Sequence, residues 1–171
     1  ELPLFEGSAG HGALTVGSDP QVVVANELDG VRAESLRAQG VGAISQEDAT
    51  GFVGRRADTW GIPGPFPAVV MNPPFGRKEL GSQQLPGSTI KSDQLEHKIA
   101  ADNLLAMDDD GRAVIITGGG LYFDPLTGRA QREPSWQDRG FLTYLNQRYN
   151  VAHVIEVTKA AASRLYGKQG A

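Results

Sequence analysis

The chain has 171 residues, 40% hydrophobic and 21% charged, with a formal net charge of −4. That length suits one domain with a sizeable core, and the composition is that of an ordinary globular protein. The lack of cysteine excludes disulfides and thiolate metal sites and fits a reducing cytoplasm; no apolar run reaches membrane-span length and no signal-peptide pattern opens the chain.

The first strand is expected over residues 2–5, followed by Glu6 and the glycine-rich turn Gly7-Ser8-Ala9-Gly10-His11-Gly12. A second strand over 21–25 runs into Asn26-Glu27-Leu28-Asp29, and residues 31–39 have helical composition closed by Gly40. The third strand covers 41–44, ahead of the acidic turn Gln46-Glu47-Asp48-Ala49. The fourth covers 68–71 and ends in Asn72-Pro73-Pro74-Phe75-Gly76. Two prolines cannot donate to a sheet ladder, so the strand must stop at Met71.

After a Gly/Ser/Gln/Pro-rich stretch over 76–90, read as a mobile loop with Arg77 and Lys78, comes an amphipathic helix over 92–107. Leu95, Ile99, Leu104 and Met107 form its apolar face and Ser92 its N-cap. Asp108-Asp109-Asp110-Gly111 reads as a turn into a fifth strand over 113–117, followed by a long loop over 118–133. A helix over 136–148, a sixth strand over 151–157 and a hairpin-linked last strand over 164–169 complete the series. Trp60 and Trp136 read as packing residues.

Strands alternating with helices imply an α/β fold with a mostly parallel central sheet flanked by helices. In such sheets ligands bind outside the carboxyl ends of the strands, at the switch point of strand order. Glu6 with the Gly7–Gly12 turn, Glu27, Asp48 and Asn72 all fall at such ends. The glycine turn permits close approach of a ligand to backbone, though it also reads as a plain strand-to-helix turn. It is no P-loop, since no Lys-Ser or Lys-Thr follows, and it lacks the third glycine of a dinucleotide fingerprint. Glu27 is placed to accept from ribose hydroxyls, with Asp29 the competing acid and a helix-terminal charge the bland reading of both. Asp48 is placed to accept from an adenine amino group, with Glu47 as the alternative and a turn carboxylate as the bland reading. Asn72-Pro73-Pro74-Phe75 joins hydrogen-bond acceptors to an aromatic stacking surface, suited to a planar group bearing NH2. His11, His97 and His153 share no metal-ligand spacing, so no metal is expected.

In this order, Gly7-Ser8-Ala9-Gly10-His11-Gly12, Asn26-Glu27-Leu28-Asp29, Asp48 and Asn72-Pro73-Pro74-Phe75 resemble the motifs of S-adenosylmethionine-dependent DNA adenine-N6 methyltransferases, over roughly residues 1–157. The resemblance implies a Rossmann-like class I methyltransferase fold over 1–171, with S-adenosyl-L-methionine as cofactor. It further implies that Glu6, Ser8, Ala9, Gly10 and Gly12 line the methionine part of the cofactor. Glu27 would bind the ribose, Leu28 pack on the cofactor's adenine, and Asp48 meet the adenine amino group. Asn72 and Pro73 would accept from the target amino group, Asn72 also contacting the cofactor, while Phe75 stacks on a flipped base.

This sequence departs from the family at Gly7, where proline is common, and at His11, usually threonine or serine. Residues 13–20 are short for the usual first helix. The family's upstream motif and a target-recognition domain are missing, so the chain is expected to be a module of a larger protein. DNA is the expected partner, RNA an alternative, with recognition supplied by another domain or subunit because the charge balance is acidic. Methylation of an RNA base or a protein glutamine amide, or a degenerate non-catalytic module, are the competing readings.

Overall fold

The computed structural model describes residues 3–51, 64–76, 81–118 and 136–155. The chain divides into two compact units, Glu1–Gly118 and Gly119–Ala171. The first contains β1 (Leu4–Glu6), β2 (Val23–Asn26), α1 (Gly30–Ala38), β3 (Ala43–Ser45), β4 (Phe66–Met71), β5 (Gln83–Gln84), β6 (Lys91–Ser92), α2 (Leu95–Asn103) and β7 (Met107–Ile115). Five strands form one sheet in the order β3-β2-β1-β4-β7, and every pairing in it is parallel. This is a Rossmann-like α/β fold. The chain runs outward through β2 and β3, then returns to the far side of β1 for β4, so the order reverses between β1 and β4.

Burial explains why short strands hold this sheet together. All four residues of β2 are buried, as a strand covered on both faces must be. The register aligns Leu4 with Val23 and Ala68, and Glu6 with Ala25 and Val70. Successive side chains alternate between faces, so Leu4, Glu6, Val23 and Ala25 share one face. On it Ala9, Val23, Ala25 and Leu36 of α1 form a buried cluster, with Leu4, Val41 and Ile44 packed against it. Phe5 faces the other way and stacks on Phe66, with ring centroids 5.1 Å apart.

α1 matches its sequence reading closely. Asp29 caps it by accepting from the Arg32 amide at 2.9 Å, and Gly40 takes a φ of 82° just past its end. Elsewhere the boundaries moved. The second strand starts at Val23 rather than residue 21, because Asp19 accepts from the Gln21 amide and winds Pro20–Val22 into a 3-10 turn. The third starts at Ala43 rather than 41, the Gly42 amide donating instead to the Pro20 carbonyl at 2.8 Å, ahead of the ladder. A Cβ on Gly42 would lie 2.2 Å from the Gln21 carbonyl oxygen.

The helix expected over 92–107 is shorter. Ser92 belongs to β6, which pairs antiparallel with β5, so part of the stretch read as a mobile loop is a small hairpin. α2 has Gln94 as its N-cap residue, with no side-chain cap. It gives way to a 3-10 turn over Leu104–Ala106. β7 then begins at Met107, well before the expected residue 113, and the three aspartates lie inside it. Between the pairs Phe66–Met107 and Ala68–Arg112, β4 advances two residues while β7 advances five. The Asp-rich segment is thus a bulge rather than a turn between elements. Gly111 fits there because a Cβ would meet Met107 Cγ at 2.6 Å and the Asp108 carbonyl oxygen at 2.8 Å.

In the second unit, α3 (Trp136–Arg148) has its expected bounds. Phe141 and Tyr144 are buried and stack with centroids 6.3 Å apart. The Arg148 guanidinium lies 5.3 Å from the Tyr144 ring centroid, a cation–π distance. Residues 151–155 form no strand, where a sixth over 151–157 is expected; the last two residues of that range lie outside the described residues. Residues 77–80, including Arg77 and Lys78, Trp60, the Trp136 side chain and the segments 119–135 and 156–171 lie outside the described residues. No helix among the described residues is long and apolar enough to cross a membrane.

Candidate functional site

The reversal of strand order sets the carboxyl ends of β1 and β4 side by side, Glu6 in register with Val70. The Glu6–Gly12 segment therefore flanks one side of the switch-point crevice and Asn72-Pro73-Pro74-Phe75 the other. β2 lies next to β1, which puts Glu27 on the same edge.

Glu6 is buried, 1% exposed, on the face that α1 covers. Burial, and secondarily the nearby Glu27 carboxylate, push its pKa from 4.5 to about 8, so at neutral pH the carboxyl holds its proton. Its Oε2 and the Ser8 hydroxyl are sealed from solvent and accept or donate no hydrogen bond among the described residues. Such groups cost stability unless something pairs with them.

Glu27 fastens the glycine turn. Its Oε2 accepts from the Gly10 amide at 2.7 Å and its Oε1 from the Asp29 amide at 2.9 Å. Each carboxylate oxygen keeps a further lone pair. Asp29, the competing acid, is committed as the cap of α1. Gly10 has a φ of 58°, and space beside its Cα is open. Gly12 has a φ of 80° and lies under Leu36, whose Cδ2 would be 3.0 Å from a Cβ. Ala9 is buried, its amide donating to the Asn26 carbonyl at 2.9 Å. The turn is thus a rigid, backbone-lined surface.

Leu28 projects from this edge, 62% exposed. Asp48 is exposed, and its Oδ1 accepts from both the amide and the hydroxyl of Thr50 at 2.8 Å. That is a turn carboxylate, as its bland reading held, and only Oδ2 is left for a ligand. The Asp48 turn is nevertheless tied to the glycine turn through Asn26.

Asn26 was read only as the end of a strand. Its Nδ2 donates to the carbonyls of Gly7 at 3.1 Å and Glu47 at 2.9 Å, while Oδ1 accepts from the Ser45 hydroxyl and the Glu47 amide, each at 3.0 Å. All four valences of the amide are spent joining the ends of β1, β2 and β3. A polar residue closing an apolar strand was its only sequence signal.

Asn103 was also missed. It ends α2 with 0% exposure, and neither Nδ2 nor Oδ1 has a partner among the described residues. A Cβ on Gly7 would lie 2.2 Å from its Nδ2. A side chain at Gly7, where the resembled family commonly has proline, would therefore have to displace the buried Asn103 amide.

On the β4 side, Pro73 is buried, Asn72 half-buried and Phe75 56% exposed. The β4–β7 pairing continues past Met71, whose carbonyl accepts from the Ile116 amide at 2.9 Å. This holds the motif at a rigid strand end. The described residues include no cluster of His, Cys, Asp or Glu able to hold a metal ion. No known protein family matches this chain, and no curated protein matches it in sequence.

Proposed function

We propose that the chain is an S-adenosylmethionine-dependent methyltransferase domain acting on the exocyclic N6 of adenine in DNA. The observation that supports it is the meeting of two motifs across one switch-point crevice: the Glu6–Gly12 turn with Glu27, and Asn72-Pro73-Pro74-Phe75. The residues on the β1–β2 side fit the cofactor. Glu6 Oε2 and the Ser8 hydroxyl are buried polar atoms without a partner among the described residues, beside the turn where the methionine part would lie. Glu27 has spare lone pairs for ribose hydroxyls, and exposed Leu28 offers an apolar surface to adenine. Asp48 contributes at most its Oδ2 to the adenine amino group.

When bound, S-adenosylmethionine supplies an electrophilic methyl on a sulfonium. Asn72 Oδ1 and the Pro73 carbonyl accept from the target NH2. They draw its nitrogen toward tetrahedral geometry and stabilise the positive charge that develops as the N–CH3 bond forms. The stiff Pro-Pro pair holds these acceptors for in-line attack. The excess N–H proton leaves to solvent as the S–CH3 bond breaks. Phe75 stacks on the extruded base. Target recognition is assigned to a further domain or subunit, because the chain is acidic, and the cysteine-free composition accommodates a cytoplasmic setting.

Asn72→Ala is expected to abolish tritiated methyl transfer to unmethylated DNA while largely sparing S-adenosylmethionine binding. Unchanged transfer in that variant overturns the catalytic assignment. Label appearing only in RNA or in protein glutamine moves the same chemistry to another acceptor. A degenerate, non-catalytic module is the second reading. It is favoured by the connection from β1 to β2, which holds only one-turn 3-10 segments, Ala13–Thr15 and Pro20–Val22, where the family has a helix. Calorimetry with S-adenosylmethionine separates the two, since tight binding removes the degenerate reading.

A further inference from the structure

The crevice has a third contributor, the first turn of α2. Gly76, the residue after Phe75, is held at both of its backbone groups by this turn. Its carbonyl accepts from the Leu95 amide at 2.7 Å, and its amide donates to Glu96 Oε2 at 3.1 Å. The φ of Gly76 is 152°, beyond the ordinary range of residues with side chains.

Glu96 is only 5% exposed. Burying a carboxylate is costly, and among the described residues the Glu96 carboxylate is paired with the Gly76 amide. Its position relative to Phe75 bears on its role. At Gly118, just past β7, a Cβ would lie 3.2 Å from Phe75 Cδ1, 3.3 Å from Phe75 Cγ and 3.5 Å from Glu96 Oε1. The Phe75 ring, the Gly118 backbone and the Glu96 carboxylate thus converge on one point. The ring and the carboxylate thus both border the open side of the Gly118 Cα, while Phe75 stays 56% exposed overall.

We propose that Glu96 is a positioning residue, which sets the orientation of Phe75 and, through the short Asn72-Pro73-Pro74-Phe75 segment, the reach of the Asn72 and Pro73 acceptors. The inference rests on the methyl-transfer reading of the site. Glu96 acts by locking Gly76, a charge-assisted hydrogen bond being stronger than a neutral one. The prolines propagate the constraint, because their φ angles cannot relax it. A displacement of the acceptors by about 1 Å is enough to cost on the order of a hundredfold in rate.

The test compares Glu96→Gln, which keeps an acceptor at the same reach, with Glu96→Ala and Glu96→Asp. Glu96→Asp is one methylene shorter and covers the case in which Glu96→Ala folds poorly. Three quantities are read: exchange of the Gly76 amide, the dissociation constant for S-adenosylmethionine, and kcat/KM for methyl transfer to DNA. In Glu96→Ala or Glu96→Asp the Gly76 amide should exchange faster and kcat/KM should fall roughly ten- to a hundredfold, with cofactor affinity unchanged. Glu96→Gln should restore transfer to within a few-fold of the parent chain. Faster Gly76 exchange with undiminished transfer overturns the positioning role and leaves the methyltransferase reading standing. A parent chain that binds S-adenosylmethionine but, with its recognition domain or subunit present, methylates no DNA, RNA or protein acceptor overturns both.

Discussion

Replacing Glu6 by glutamine removes an ionisable carboxyl from the most buried corner of the crevice while preserving its size and hydrogen-bonding capacity. In the folded chain burial, with help from Glu27, moves the Glu6 pKa from 4.5 to about 8. Between those two values the folded chain keeps a proton that the unfolded chain has released. Stability from this group is therefore complete below the unfolded value and is lost as pH rises through the folded value. At ~1.4 kcal/mol for each tenfold change in proton affinity, the displacement amounts to a few kcal/mol over the window. Urea denaturation of both chains from pH 5 to pH 9 measures it. The two should be similar near pH 5, and Glu6→Gln should be the more stable by a few kcal/mol at pH 9, where the parent has buried a charge. Parallel stability curves for the two chains would refute the reasoning, because the Glu6 carboxyl would then titrate normally.

Gly7→Ala should destabilise the chain by about 1–3 kcal/mol through overpacking against Asn103. Adding Asn103→Ala should recover part of the loss, so a thermodynamic cycle of urea midpoints should show coupling of about 1 kcal/mol. Asn26→Ala should cost on the order of 3 kcal/mol by stranding the Gly7 and Glu47 carbonyls, read as a lower urea midpoint. With the Asn72 and Glu96 variants, these probe each side of the crevice separately.

Several elements were legible because their causes lie close in sequence. The helix expected over 31–39 is found as Gly30–Ala38, since an aspartate cap, a helical composition and a closing glycine are all local. The stop of β4 at Met71 follows from the two prolines, which no tertiary context can make into ladder donors. Strand starts were less legible. Asp19 delays the start of β2 by a local 3-10 turn, and the contact of Gly42 with residues 20–21 delays that of β3. Asp108-Asp109-Asp110 looked like a turn because aspartates disfavour strands. β4 draws the following residues into register and leaves the aspartates as a bulge.

The candidate site shows the same division. Glu27 and Asp29 could not be separated by inspection, because both are acids at a strand end. The start of α1 takes Asp29 as its cap and leaves Glu27 to hold the glycine turn. Asn26, Glu96 and Asn103 were invisible as site residues, since each matters through a partner 19 or more residues away or through a contact made only after folding.

By itself the sequence determined the local chemistry: the alternation that makes an α/β fold, the glycine turn, the acids after β2 and β3, and the stiff Asn-Pro-Pro-Phe end of β4. Those depend on backbone dihedrals and donor counts belonging to a few adjacent residues. Only the tertiary structure decided the strand order that sets β1 beside β4, the covering of the Glu6 face by α1, and the bracing of Gly76 by α2. These are relations between distant segments, and burial, which raises the Glu6 pKa and makes Asn103 exclude a side chain at Gly7, exists only once those segments have packed.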